Sequence, residues 1–330
     1  MIFVLTIIFM ALIFDFYNGM NDAANSIATI VSTRVLTPLQ AVLWAAFFNF
    51  IAAFTFGVSV AGTIGKGIID VSIVDNYVIF SALIGAIFTS AFATHIGYPI
   101  SISHAIIGGL AGAAFTKVGP AGLNAAGLSK VFLFIFLAPL LGMLIAVILS
   151  IITLWIVKNL SPSIVDRYFK KLQLVSAALY SLSHGTNDAQ KTMGIITVLL
   201  FTNGLLGDQF YVPLWVILSC HFVIALGTLT GGWKVIRTLG MKMTALTPFS
   251  GFSAETSAGL TILGASALGI PVSTTHTITG SIAGVGVIKG FRNIKWKIAK
   301  NILWAWVLTI PISSFFSFVT YFIIERIFMR

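Results

Sequence analysis

Apolar residues run along this chain in long blocks rather than in the strict alternation of strands or the narrow stripes of soluble helices. The three longest blocks, Met1–Phe14, Phe132–Val157 and Ile302–Ile324, approach or exceed the roughly 20 residues that carry a helix across a bilayer. Shorter apolar stretches between them are punctuated by Gly, Pro and polar residues. Together they predict ten helical spans, at about 1–33, 40–61, 77–96, 99–116, 130–157, 172–200, 211–232, 243–268, 271–288 and 298–324. Span 1–33 is longer than a bilayer requires and has room for a break in its middle. The stretches 97–116 and 269–288 are short enough either to cross or to enter as re-entrant hairpins.

Composition turns this pattern into a class. Of 330 residues, 58% are hydrophobic and 8% charged, against about 25% charged in a soluble domain. A mean hydropathy of +1.03 agrees. The chain therefore reads as an all-α polytopic membrane protein, its length taken up by spans and short loops with no folded extramembrane domain. One cysteine, Cys220, excludes an intramolecular disulfide framework and a multi-cysteine metal site. Residues 1–20 lack a basic n-region and a small-residue cleavage site, so they read as a retained first span.

The net charge of +10 could suggest a nucleic-acid partner, but its placement points elsewhere. Basic residues cluster at 158–171, 234–242 and 289–300, whereas 62–76 and 202–211 carry Asp70, Asp75 and Asp208 against Lys66 alone. Lys and Arg collect in cytoplasmic loops, and one alternating orientation satisfies all of these loops, with both termini outside and no nucleic acid implied. Five spans precede the basic loop and five follow it. Because five is odd, the halves must be oppositely oriented.

Internal similarity divides the chain at the same place. GMNDAANS (19–26) matches GTNDAQKT (185–192) at an offset of 166, and GYPISISHAIIGGLAG (97–112) matches GIPVSTTHTITGSIAG (269–284) at eight of sixteen positions at an offset of 172. The expected organisation is a first repeat over 1–157, a basic cytoplasmic linker over 158–171 and a second repeat over 172–330. The repeats have inverted topology, with broken or re-entrant helices at their interface. Such repeats are characteristic of secondary transporters, whose sites lie near the midplane.

Both matched segments carry chemistry foreign to a lipid-facing helix. Asp22 and Asp188 fall inside apolar spans, where a carboxylate costs roughly 2.5–3.5 kcal/mol. With Asn21, Asn25, Asn187 and Gln190 they offer the hard oxygen ligands that suit small cations; helix capping after Gly19 and Gly185 is the plainer alternative. Lys191 stands where the first repeat has Asn25, and could neutralise Asp188, attract an anion or snorkel. Pro99 and Pro271 suit helix starts. Ser101, Ser103, Ser273, Thr274 and Thr275 would then lie at the first turns, where hydroxyls and free N–H groups bind phosphate-like anions or simply cap the helix. Gly108/Gly112 and Gly280/Gly284 have GxxxG spacing for close helix approach. His104 and His276 could contact an anion or relay protons, or be satisfied by carbonyls; His184 shares that ambiguity. Glu255, without an acidic counterpart in the first half, could ligate a cation, hold a proton or pair with a lysine.

GMNDAANS and SHGTNDAQKTMGIIT, each followed by a Pro–hydroxyl–His segment (PISISH, PVSTTH), resemble the duplicated signatures of the PiT family of inorganic phosphate transporters. The resemblance covers both halves. It implies a transporter, not an enzyme: cation-coupled uptake of inorganic phosphate across the cytoplasmic membrane, driven by Na⁺ or H⁺, with inverted repeats, a homodimer and no cofactor. It places Asp22, Asn25 and Asp188 in the ion and substrate region and Ser101, Ser103, Ser273, Thr274 and Thr275 near phosphate. Gln190 and Lys191 join the phosphate set by position; Asn21, Asn187 and Glu255 join the Na⁺ set.

Charge favours coupling. Asp22, Asp188 and Glu255 with Lys191 sum to −2, and a phosphate dianion brings this to −4, which a low-dielectric cavity cannot hold without cations. Na⁺ symport by alternating access is the expected mechanism, with a proton-coupled transporter and a sulfate permease on the same scaffold as alternatives. A membrane enzyme lacks any nucleophile–base set here, and a passive anion channel would not accumulate its solute.

Overall fold

The computed structural model describes residues 1–55, 57–240 and 245–328 and is helical, with no strand among the described residues. In chain order come α1 (Ile2–Ser32), α2 (Pro38–Ile51), α3 (Ser59–Gly67), α4 (Asn76–Ile96), α5 (Ile102–Val118), α6 (Ala125–Val157), α7 (Pro162–Thr202), α8 (Leu214–Thr230), α9 (Trp233–Gly240), α10 (Pro248–Ala267), α11 (Thr274–Ile288) and α12 (Trp296–Phe328). α1, α4, α6 and residues 302–328 of α12 are long and apolar enough to cross a bilayer. α6 and α12 show lipid-compatible faces, with Phe136 and Phe315 among many exposed apolar side chains. α7 is the longest helix, and buried polar residues interrupt its apolar character at the centre.

Three expected boundaries differ. α1 runs unbroken for 31 residues. Gly19, the natural place for a break, serves packing instead: a Cβ there would lie 2.1 Å from the Ile224 carbonyl oxygen of α8. Span 40–61 is the one that breaks, between Pro38–Phe54 and Ser59–Gly67, with a bend of 82°. The N–H groups freed at the start of α3 are capped by Gln190, whose Oε1 accepts from Val60 N (2.8 Å) and Ala61 N (3.2 Å). The basic segment 158–171, expected as a linker, is helical from Pro162, because Ser161 in an extended conformation and proline at the first helical position start α7 there. The expected span 243–268 begins on residues 243 and 244, which lie outside the described residues; α10 starts at Pro248.

The stretches 77–116 and 245–288 each fold as a hairpin, α4 with α5 and α10 with α11. Each is closed at its base by a lysine. Lys117 Nζ donates to the Ile73 carbonyl at 2.6 Å and to Asp75, and Lys289 Nζ donates to the Ala245 carbonyl at 2.8 Å, pairs related by the same 172-residue offset. The tips turn through Gly97 and Gly269, whose φ angles of 81° and 68° exclude most side chains. Each tip stops beside the middle of a long helix. Asn21 of α1 donates to Thr94 Oγ1 (2.9 Å), and Asn187 of α7 donates to Ser266 Oγ (2.8 Å). Each hairpin therefore begins and ends on one side of the bundle and presents its tip at the centre.

α1 and α7 run antiparallel through the centre. Asp15 meets Thr192 (2.9 Å), Asp22 meets His184 (3.7 Å) and Thr33 meets Gln173 (2.8 Å), so residue numbers rise along one helix as they fall along the other. The two halves also interdigitate. α5 packs on α12 and α11 on α6 through the GxxxG pairs: a Cβ on Gly108 would lie 2.6 Å from the Ile310 carbonyl oxygen, and one on Gly280 would lie 2.1 Å from that of Pro139.

Candidate functional site

The two hairpin tips bring the N-termini of α5 and α11 to one point between α1 and α7. Ser101 caps α5 by accepting from His104 N (3.2 Å), and Ser273 caps α11 by accepting from His276 N (3.3 Å). Pro99 and Pro271 lie two residues ahead of these caps, so they shape the turns rather than open the helices. The tips cross-brace each other: Ser103 Oγ donates to the Val272 carbonyl (3.1 Å), and Thr275 Oγ1 lies 3.2 Å from the Ile100 carbonyl. These pairs interchange under the repeat. A single geometry is thus built twice.

Asp22 and Asp188, both buried, face this junction. Thr274 Oγ1 lies 3.2 Å from Asp22 Oδ2 and 3.2 Å from Asp188 Oδ2. Thr275 Oγ1 lies 3.2 Å from Asp22 Oδ1 and accepts from Asn25 Nδ2 at 2.9 Å. A hydroxyl has one hydrogen. Thr274 can satisfy one of its two carboxylates, and Thr275 either Asp22 or the Ile100 carbonyl, so electron-rich oxygens outnumber the protons between them. Asn25 Oδ1 is buried with no hydrogen-bond partner, as are Asn21 Oδ1 and Asn187 Oδ1. An arrangement of carboxylate, hydroxyl and carbonyl oxygens short of donors is suited to a small hard cation.

Positive charge enters from α7. Lys191 Nζ donates to Asp188 Oδ1, to Ser103 Oγ and, at 3.2 Å, to the Val272 carbonyl. Its side chain is fully buried, so it does not snorkel. His184 Nε2 lies 3.3 Å from Asp188 Oδ2 and 3.7 Å from Asp22 Oδ2. Its Nδ1 is 3.1 Å from Asn49 Oδ1, and Asn49 Nδ2 donates to Thr228 at 2.9 Å. Asp22, His184 and Asp188 have their ligand atoms within 4.8 Å of one another.

Most of the residues expected from sequence converge here: Asp22, Asn25, Ser103, Asp188, Lys191, Thr274 and Thr275 form the centre, with Ser101 and Ser273 as caps behind it. Asn21 and Asn187 flank it, anchored to the hairpins. Gln190 is not brought to the centre, because its Nε2 donates to the Gly57 carbonyl (2.7 Å) while its oxygen caps α3. Glu255 forms a separate buried group, accepting from Gln173 Nε2 (3.0 Å) and from Ser176 Oγ, and it does not pair with Lys191. His104 and His276 meet edge to face at 4.7 Å, and His276 stacks on Trp306 at 3.6 Å, so both pack behind the caps. Asn49, which orients His184, was invisible in sequence because it is one amide in an apolar run of α2. Asp15 is likewise held by Thr192, one residue beyond Lys191.

A cavity of about 400 Å³ opens beside the tip of the second hairpin, lined by Ser59, Thr63, Lys66, Lys130, Gly269 and Pro271 among others. Thr63 Oγ1 donates to the Gly269 carbonyl at 2.7 Å, joining α3 to that tip.

Residues 18–317 match the phosphate transporter family. The chain is 54% identical over 316 residues to a probable low-affinity inorganic phosphate transporter of Rhizobium meliloti, covering 96% of this chain and 95% of that one. It is 42% identical over 330 residues to a protein of the same description from Bacillus subtilis, covering 99% of each. A solved structure described as the sodium-dependent phosphate transporter superposes with a TM-score of 0.90 at 29% identity, over 99% of this chain and 100% of that one. A membrane-embedded pair of hairpins closing on paired Asn-Asp segments, matched over nearly its whole length by these proteins, makes this chain a member of the phosphate transporter family.

Proposed function

We propose that this protein is a Na⁺-coupled symporter that imports inorganic phosphate by alternating access across the cytoplasmic membrane. The observation that carries the reading is the Thr274 hydroxyl shared between Asp22 and Asp188, at a junction where two helix N-termini also point. Cations fit the oxygen-rich side and an oxyanion fits the N-terminal side. Asp22, with Asn25 Oδ1, Thr275 Oγ1 and the Ile100 carbonyl, is the Na⁺ group; Asn21 and Asn187 support it. Phosphate is received by Ser101, Ser103, Ser273, Thr274 and Thr275 with the first-turn N–H groups of α5 and α11, where the helix dipoles favour an anion.

Buried charge then couples the two. Asp22 and Asp188 against Lys191 leave one net negative charge, and a phosphate dianion deepens it, so phosphate enters only with cations. The relative described as sodium-dependent supports Na⁺ as that cation. The antiparallel α1 and α7, with site residues interchanged by the 166- and 172-residue offsets, support an inverted-topology repeat whose halves exchange roles as access alternates. The basic ends of α6, α7 and α11 face the cytoplasm, the termini lie outside, and the Lys66–Lys130 cavity is an outer vestibule that draws in anions. A homodimer belongs to the same proposal through the family resemblance.

Uptake of labelled phosphate into proteoliposomes under an imposed Na⁺ or H⁺ gradient, with sulfate as competitor, tests the reading. Accumulation above equilibrium with Na⁺ and little competition by sulfate is expected. Proton coupling is the second reading, favoured by His184 standing between the two carboxylates. Accumulation driven by a pH gradient in Na⁺-free medium would establish it instead.

A further inference from the structure

The repeat makes a comparison of its two halves possible atom by atom. Asn25 and Lys191 are equivalent at the 166-residue offset, Thr275 and Ser103 at 172, and the Ile100 and Val272 carbonyls at 172. On one side Asn25 Nδ2 donates to Thr275 Oγ1, which lies against the Ile100 carbonyl and Asp22. On the other, Lys191 Nζ donates to Ser103 Oγ, the Val272 carbonyl and Asp188. The oxygen sets match: carboxylate, hydroxyl and backbone carbonyl. The difference is what fills them.

We propose that the Lys191 ammonium is a built-in cation, occupying on the Asp188 side the position that an exchangeable Na⁺ takes on the Asp22 side, so that this chain binds one Na⁺ fewer than a symmetric site would. Three features converge on this. The ammonium is enclosed by three hard oxygens, the donors a Na⁺ ion would use. It is fully buried and tethered, so it cannot leave with the cargo. On the Asp22 side, where no lysine among the described residues reaches the same oxygen set, Asn25 Oδ1 is buried without a partner and is left to ligate an incoming ion. A lysine fixed there compensates Asp188 permanently, at every stage of the cycle. The consequence is a lower coupling ratio: fewer ions move per phosphate, with less concentrative power and less dependence on external Na⁺.

This inference rests on the cation-coupled reading of the site, and its test is chosen to separate the two. ²²Na⁺ binding to the purified, detergent-solubilised full chain is counted per protomer at saturating Na⁺ and phosphate, without transport. K191N restores the first repeat's residue and should raise the count by one. N25K installs the tethered cation on the other side and should lower it by one. The N25K/K191N exchange should return the wild-type count, and K191R should keep it. Size-exclusion profiles and the Na⁺-dependent rise in Tm show which variants are folded, and K191N should gain Tm from Na⁺ beyond the wild-type gain. A folded K191N with the wild-type count, or a folded N25K that loses no Na⁺, would overturn the proposal. If the wild type binds no Na⁺ at all, the coupling reading fails, and K191N alone then decides for the lysine by gaining a site or against it by gaining none.

Discussion

On the Asp22 side of the site, Asn25 holds Thr275 and leaves its own carbonyl oxygen unpartnered; on the Asp188 side, Lys191 holds Ser103, the Val272 carbonyl and the carboxylate together. The backbone frame is the same on both sides, down to the serine caps and the cross-bracing carbonyls. One substitution within that frame changes an open, donor-poor ligand set into a closed ion pair. A duplicated fold supplies geometry twice, and function is read where the copies depart from each other.

The largest expected effect contrasts the two aspartates. Asp188→Asn removes the partner of a buried ammonium, a loss of about 3–5 kcal/mol for a broken buried pair. Asp22→Asn removes no such partner. Thermal denaturation of the two purified variants should show a marked fall in Tm for Asp188→Asn and a small one for Asp22→Asn, although both lose coupled phosphate uptake. Equal loss of stability would erase the distinction between an occupied and an open half.

The next test addresses the matched frame. Gly280→Ala and Gly108→Ala each drive a Cβ into a carbonyl oxygen, of Pro139 and Ile310 respectively, and should each destabilise by about 1–3 kcal/mol as overpacked cores do. Gly264, in α10, has nothing within 4 Å of its would-be Cβ, so Gly264→Ala should leave Tm unchanged or slightly raised. If the two packed variants differ widely, the α5–α12 and α6–α11 contacts are not equivalent.

Thr274→Val keeps the shape of the shared residue and deletes its hydroxyl. It should weaken phosphate uptake about tenfold, the scale of one lost hydrogen bond in a buried site, with the Na⁺ dependence shifted as well. The smallest effect is expected at the vestibule. Lys66→Ala should lower phosphate capture a few-fold at low ionic strength and less at high salt, since a surface charge acts through a screened field. An effect independent of salt would give Lys66 a structural role instead, such as its contact 4.1 Å from the centre of the Phe210 ring.

Much of this was legible in the sequence, and for identifiable reasons. Asp22, Asp188 and Lys191 stand out in the sequence because charge inside an apolar block is costly, and the two constant offsets pair the segments that carry them. Gln190 was misplaced because spacing cannot tell an amide facing the centre from one turned to the N-terminus of α3. The break after α2 depends on that same distant cap, 130 residues along the chain, so hydropathy ran the span on to residue 61. α1 offered the opposite lesson: its length left room for a break, yet the helix runs on unbroken and the missing Cβ of Gly19 is used by the α8 backbone. Asn49 and its hold on His184 had no local signature, because the contact exists only after α2 and α7 pack.

The central claim is that the Asp22 half admits a cation together with phosphate. Its most direct test is ²²Na⁺ binding to purified wild type and Asp22→Asn, measured with and without inorganic phosphate. Phosphate should increase Na⁺ binding in the wild type, and both the binding and the increase should be lost in Asp22→Asn while the protein remains folded. An Asp22→Asn protein that binds Na⁺ as the wild type does, with the same response to phosphate, would contradict the account.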